Sequence, residues 1–202
     1  MSKVKPFCMI DIETLGTGLD SSIIEIGVCR YDPEAEVQFH TESAFVQPAF
    51  DRAELSTMMW WASQDNWRRI IVDACEKGQP SVSRAINELR LKFDPDHFEL
   101  HDWWWTDDSV EWWANGTTFD ISMLSYQLEK ERIAAAMKTD RCDRYTVPWK
   151  FWNVMDLRTM FKYHGRPQVD TGNGTEVVHG AADDALRQAM QLVEILKGLP
   201  EK

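Results

Sequence analysis

The first fifty residues alternate short apolar runs with polar or glycine-rich breaks. PFCMIDIET, at positions 6–14, is an apolar run closed by polar residues and reads as a buried strand. A glycine-rich turn, LGTGLDSS, separates it from IIEIGVCRYD, whose β-branched residues predict a second strand. SAFVQP predicts a third, stopped by Pro48. Strands this close in sequence pair as an antiparallel meander.

Helical spacing begins near Arg52. DNWRRIIVDACEK places Trp67, Ile70, Ile71, Ala74 and Cys75 at helical intervals. SVSRAINELRLKF does the same with Val82, Ile86, Leu89 and Phe93, and Ser81 is its expected N-cap. DPDHFELHDWWWTDDS is polar and irregular and reads as a loop. VEWWAN is a strand running into the turn at Asn115-Gly116, followed by the helical FDISMLSYQLEKER. KFWNVMDL is a further strand, and LRTMFKYHG a short helix ended by Gly165 and Pro167. QVDTGNGTEV reads as another loop. The clearest helix is AADDALRQAMQLVEILK, with Ala185, Ala189, Leu192 and Leu196 on one stripe. No repeat or linker divides the chain, so residues 1–202 are expected to form one domain.

Composition narrows the class. Hydrophobic residues make up 44% and charged residues 27%, as in soluble globular proteins. No apolar run approaches the roughly 20 residues that cross a bilayer, and the N-terminus lacks a signal-peptide profile. Cys8, Cys29, Cys75 and Cys142 are scattered, without a CxxC pair, and read as reduced thiols of a cytoplasmic protein. The net charge of −11 argues against a protein that coats duplexes by electrostatics alone. Yet from Lys138 to Pro167 the balance reverses: Lys138, Arg141, Arg144, Lys150, Arg158, Lys162 and Arg166 stand against Asp140, Asp143 and Asp156. With Tyr145, Trp149 and Tyr163 interleaved, this stretch is either a track for a nucleic-acid backbone or a solvated helix face.

Three acidic motifs carry the candidate chemistry. Asp11 and Glu13 lie two apart on the first strand, so both side chains share one face. Side by side among apolar residues they repel, and they read either as a pair with a divalent cation between them or as two solvated charges on an edge strand. NGTTFD places Asp120 where a strand and tight turn meet a helix, a position that capping and the macrodipole also favour. HGAADDA places Asp184 five residues after His179, and its small residues allow close approach of the final helix to the sheet. Each of the last two motifs has an ordinary structural explanation by itself.

Taken together, DIE, NGTTFD and HGAADDA resemble the three exonuclease motifs of the DEDDh superfamily in type, order and spacing. That superfamily includes oligoribonuclease, ribonuclease T and proofreading exonucleases. The opening MIDIETLGTGLDSSIIEIGV and the TMMWWASQ stretch look most similar to small bacterial and phage-borne members. Ala114 stands where proofreading members often carry a histidine.

The resemblance implies an α/β, ribonuclease-H-like exonuclease fold: a mixed central sheet, antiparallel meander plus parallel strands, flanked by helices. It implies a metal-dependent 3′→5′ exonuclease that releases nucleoside 5′-monophosphates from single-stranded RNA or DNA 3′ ends, with RNA favoured. Asp11, Glu13, Asp120 and Asp184 would hold two Mg²⁺ or Mn²⁺ ions, and His179 would act as general base. Thr14 and Leu15, just after the first motif, would contact the terminal nucleotide, together with Asn115 of the second motif. Trp61 is expected to stack on a base, because aromatic faces grip single strands. Trp60, Trp103 to Trp105 and Trp112-Trp113 are further candidates, with core packing the alternative for most of them, and consecutive strand residues face opposite ways. Glu25 matches a recurrent family acid of unassigned role. Many relatives are homodimers, so a homodimer is expected. The alternatives are a phosphodiesterase for short oligonucleotides or nucleotide derivatives, and a catalytically silent nucleic-acid-binding module.

Overall fold

A computed structural model describes residues 4–93, 110–139, 147–171 and 180–199. The expectations for Trp103 to Trp105, Arg141, Arg144, Tyr145, Cys142 and His179 lie outside these residues. Strand β1 (Phe7–Thr14) is the centre of a five-stranded sheet with β2 (Ile23–Tyr31), β3 (Phe39–Phe45), β4 (Glu111–Ala114) and β5 (Val154–Asp156). The order across the sheet is β3-β2-β1-β4-β5. β1, β2 and β3 pair antiparallel, whereas β4 and β5 join parallel to β1 and to each other. The mixed α/β sheet is thus the one the resemblance implies.

Six helices accompany it among the described residues: α1 (Leu55–Ala62), α2 (Trp67–Lys77), α3 (Val82–Phe93), α4 (Asp120–Thr139), α5 (Leu157–His164) and α6 (Ala181–Gly198). None is long and apolar enough to cross a membrane.

Alternation along β1 sorts the core into two layers. Cys8, Ile10 and Ile12 pack with Ala85 and Leu89 of α3 and Leu124 and Leu128 of α4. Phe7 and Met9 pack on the other face with Ala185, Ala189, Leu192 and Val193 of α6. Each fully buried large aliphatic side chain contributes about 1.5–3 kcal/mol, so the stripe on α6 anchors that helix firmly. Trp112 falls in the first layer and Trp113 in the second, both buried, as their consecutive strand positions require. Neither offers a face to a base.

Two element ends follow local chemistry read from the sequence. Ser81 caps α3: its hydroxyl accepts from Arg84 N–H at 3.3 Å and its carbonyl from Ala85 N–H at 3.1 Å. Gly165, with φ of 78°, ends α5 in a conformation that suits glycine. Two ends differ from expectation. β3 begins earlier than SAFVQP, because Phe39–Phe45 stays in register with β2 from Tyr31 to Glu25. KFWNVMDL is extended only at Val154–Asp156, since Phe151–Asn153 form a 3₁₀ turn.

Candidate metal centre

The face of β1 that carries Phe7 and Met9 continues to Asp11 and Glu13, where the apolar packing gives way to acid. α6 crosses this face with its N-terminus foremost and brings Asp184 in its first turn. Carboxylate oxygens of Asp11, Glu13 and Asp184 lie within 4.8 Å of one another. The strand supplies two acids by its period of two, and the helix supplies the third by its docking position.

That docking depends on β2. Gly27 pairs with Asp11 in register, and a methyl group there would collide with the backbone of Ala181 and Ala182. Glycine is required because the helix end rests directly on the strand. Glu25, which pairs with Glu13, accepts a hydrogen bond from Ala181 N–H at 3.1 Å. The N-cap Gly180 has no side chain to satisfy the first turn of α6, so Glu25 caps it from the neighbouring strand. This gives Glu25 the role that its sequence position alone did not disclose.

The electrostatics suit a cation. Burial, then the charges of Asp120, Glu13 and Asp184, raise the pKa of Asp11 well above its ordinary value. Burial, then Asp184, Glu25 and Asp120, do the same to Glu13. Two unit charges about 4 Å apart repel by about 4 kcal/mol at an effective dielectric of 20. Gln188 donates to Asp11 Oδ1 at 2.8 Å, but one hydrogen bond to a charged group offsets only about 1.5–3 kcal/mol. Arg187, three residues after Asp184, forms an ion pair with it. Glu13 Oε1 is buried with no hydrogen-bond partner among the described residues. An orphaned, buried carboxylate oxygen facing two other carboxylates fits a hard divalent cation, which takes oxygen ligands.

Asp120 opens α4 beside this group. Burial pushes its pKa up to about 7 against the hydrogen bonds of its own and Ile12's backbone and the charge of Arg158. The turn that presents it is held by Asp156, which accepts from Thr117 N–H at 3.2 Å and from Thr159 N–H at 2.8 Å. Asn115 sits in the same turn, partly buried, at the end of β4.

The remaining substrate expectations divide. Thr14 is buried, and its hydroxyl donates to Gly16 O at 2.7 Å. Leu15 and Trp61 belong to one core cluster with Ile24, Ile70 and Ala74. Trp61 is 1% exposed, and its indole N–H donates to the Thr14 carbonyl at 2.7 Å. This corrects the expectation that Trp61 stacks on a base: its ring is enclosed, and it fixes the backbone after Glu13 instead. Trp60, edge-on to Trp61 at 5.1 Å, is the exposed member of the pair at 43%.

Glu54 is a second feature that sequence reasoning missed. It accepts from Thr17 N–H at 2.8 Å, Gly18 N–H at 3.0 Å and the Ser21 hydroxyl at 3.2 Å, clamping the loop after β1. Glutamate just before a helix is common, and nothing local marks this one as a ligand for a distant loop.

A family model described as 3′-5′ exoribonuclease Rv2179c-like domain matches residues 6–196. The chain belongs to that family. Its domain is accordingly of the 3′-5′ exonuclease class. The family match spans all three motifs. The exodeoxyribonuclease of Enterobacteria phage T4 is 24% identical over 168 residues, covering 75% of this chain and 68% of the phage protein. Among solved structures, E. coli exonuclease I in complex with a dT13 oligonucleotide aligns with a TM-score of 0.56. That alignment has 17% identity and covers 96% of this chain. A zinc-ion-bound form of the E. coli exonuclease I–single-stranded DNA complex aligns at a TM-score of 0.55 and 16% identity, covering 96% of this chain. In both cases the chain spans only 40% of the exonuclease I chain, and the likeness establishes the shared fold.

Proposed function

We propose that residues 1–202 act as one metal-dependent 3′→5′ exonuclease domain that removes nucleoside 5′-monophosphates from single-stranded nucleic acid, RNA in preference to DNA. The observation that carries this reading is the buried Glu13 Oε1, without a hydrogen-bond partner among the described residues, within the Asp11–Glu13–Asp184 group. A module that only bound nucleic acid would gain nothing from buried acids that repel phosphate. Family membership supports the reaction class, and the RNA preference rests on the exoribonuclease family description.

Asp11, Glu13, Asp120 and Asp184 would hold two ions, Mg²⁺ or Mn²⁺. When bound, such ions lower the pKa of water and offset charge on a departing oxygen. The chain's own residues prepare that environment. Gln188 fixes the orientation of Asp11, and Arg187 that of Asp184. Glu25 and Gly27 seat the helix that brings Asp184 to the sheet. His179, which immediately precedes Gly180 in the sequence, would accept the proton of the attacking water, since an imidazole pKa near 6.5 suits a base at neutral pH. Thr14 and Leu15 at the end of β1 would contact the terminal nucleotide, and Asn115 would border the same pocket. We further propose a cytoplasmic homodimer.

The test is degradation of matched 5′-labelled single-stranded RNA and DNA with Mg²⁺, Mn²⁺ or chelator, beside Asp184→Ala and His179→Ala. A ladder shortening from the 3′ end, absent with chelator and in Asp184→Ala, is expected, with RNA degraded faster. His179→Ala should bind Mn²⁺ normally and turn over on the order of 10²–10⁴-fold more slowly. Full activity in His179→Ala would refute the base assignment. Turnover confined to the shortest strands would instead favour a phosphodiesterase for short oligonucleotides.

A further inference from the structure

The acidic centre is bordered by two arginines with different commitments. Arg187 is paired with Asp184. Arg158, on the first turn of α5, is exposed and makes no hydrogen bond or ion pair among the described residues. Its guanidinium nonetheless lies beside Gly116. A methyl group on Gly116 would lie 3.2 Å from Arg158 Nη2 and 3.8 Å from Asp120 Oδ2, so the guanidinium and the carboxylate flank the same glycine. Any residue with a side chain at 116 would press on the guanidinium.

Asp156 fixes the backbone on both sides of this placement. One carboxylate oxygen accepts from the N–H and hydroxyl of Thr117 at 3.2 and 3.3 Å. The other accepts from the N–H and hydroxyl of Thr159 at 2.8 and 2.9 Å. The side chain therefore staples the turn before Asp120 to the first turn of α5, which carries Arg158. One turn further along α5, Lys162 is also exposed.

On the nuclease reading above, we infer that Arg158 is a substrate-binding residue that grips a phosphate of the strand lying against the metal centre. A guanidinium offers five N–H donors in a planar fork that matches phosphate oxygens two at a time. Held beside Asp120 but not consumed by it, Arg158 supplies the positive charge that a cluster of acids otherwise denies to an incoming polyanion. The spacing of Arg158 and Lys162 extends that charge along one face of α5, away from the carboxylates.

The experiment compares full-length wild type, Arg158→Ala and Arg158→Lys on a short 5′-labelled single-stranded RNA, with KM and kcat measured across a salt series. Mn²⁺-induced thermal stabilisation is measured in parallel. Arg158→Ala should raise KM about tenfold, the effect expected for losing a hydrogen-bonded charge. Its dependence of log(1/KM) on log salt should flatten by about 0.7, the share of one phosphate contact on a single strand. Arg158→Lys should restore the salt slope but only part of the affinity, because an ammonium lacks the planar fork. The Mn²⁺ shift should be unchanged in both. Wild-type KM and salt slope in Arg158→Ala would overturn the inference while leaving the nuclease reading intact. So would an unchanged KM with a diminished Mn²⁺ shift, which would make Arg158 a partner of Asp120 only. Absence of both turnover and strand binding in the wild type would remove the nuclease reading and this inference together.

Discussion

Gln188 reaches from α6 to Asp11 on β1, donating its Nε2–H to Oδ1 at 2.8 Å across 177 positions of sequence. It is one turn beyond Asp184, so a single helix supplies both an acid of the cluster and the group that orients another. Partners of this kind set the direction of a ligand's lone pairs, and their loss typically costs about 10–100-fold in metal affinity or activity. Gln188→Leu should therefore weaken Mn²⁺ binding by about that factor while leaving the far-ultraviolet spectrum unchanged. Wild-type metal affinity in this variant would show that Asp11 needs no such support.

The acids also predict how stability depends on pH. Unfolded Asp and Glu titrate near 3.9 and 4.3. Burial pushes folded Asp120 up to about 7, and burial first and neighbouring acids second hold Asp11 and Glu13 well above their usual values. A carboxyl with a raised folded pKa binds its proton more tightly in the folded state. Its contribution to stability is present below about pH 4 and is lost as pH rises through about 7. The metal-free protein should melt at a lower temperature at about pH 8 than at about pH 5, and saturating Mg²⁺ should reduce the difference. A melting temperature that rises over that interval without metal would contradict this balance.

Gly27 gives a sharper structural test. Gly27→Ala forces a methyl group against the backbone of Ala181, which has no flexible side chain to yield. Overpacking of this kind costs about 1–3 kcal/mol, and here relief requires α6 to lift off the strand. Urea denaturation should report that loss, and Mn²⁺ affinity should fall with it because Asp184 rides on the same helix. An alanine tolerated on both counts would mean that α6 docks less closely than described.

Trp60 and Trp61 should separate cleanly. Trp61→Phe leaves the buried Thr14 carbonyl without its donor, a loss of about 1–3 kcal/mol in stability. Trp60→Ala removes a half-exposed ring and should change stability far less. Chemical denaturation of the two variants decides the matter; equal effects would mean the indole hydrogen bond contributes little.

Much of the centre was readable because it depends on short-range periodicity. Asp11 and Glu13 share a face through the period of two, and Asp184 lies at the start of the helix whose apolar stripe was plain. What escaped the sequence was contact at long range. Gln188 is one polar residue on a helix, and only docking aims it at Asp11. Glu54 looks like any acid preceding a helix until the loop at Thr17 and Gly18 folds over it. Trp61 illustrates the opposite error. Its neighbour Trp60 has the same composition, and which of the two is enclosed depends on the rotation of α1 against Leu15 and Ile70, which a mixed apolar stretch does not specify.

The cluster draws Asp11 and Glu13 from the first strand and Asp184 from the last helix of the sheet's second layer. No fragment lacking either end can therefore contain the site. During synthesis the early acids must wait, buried or solvated, until α6 emerges and settles on Gly27. Binding of a divalent cation there would then report that the two ends of the fold have met.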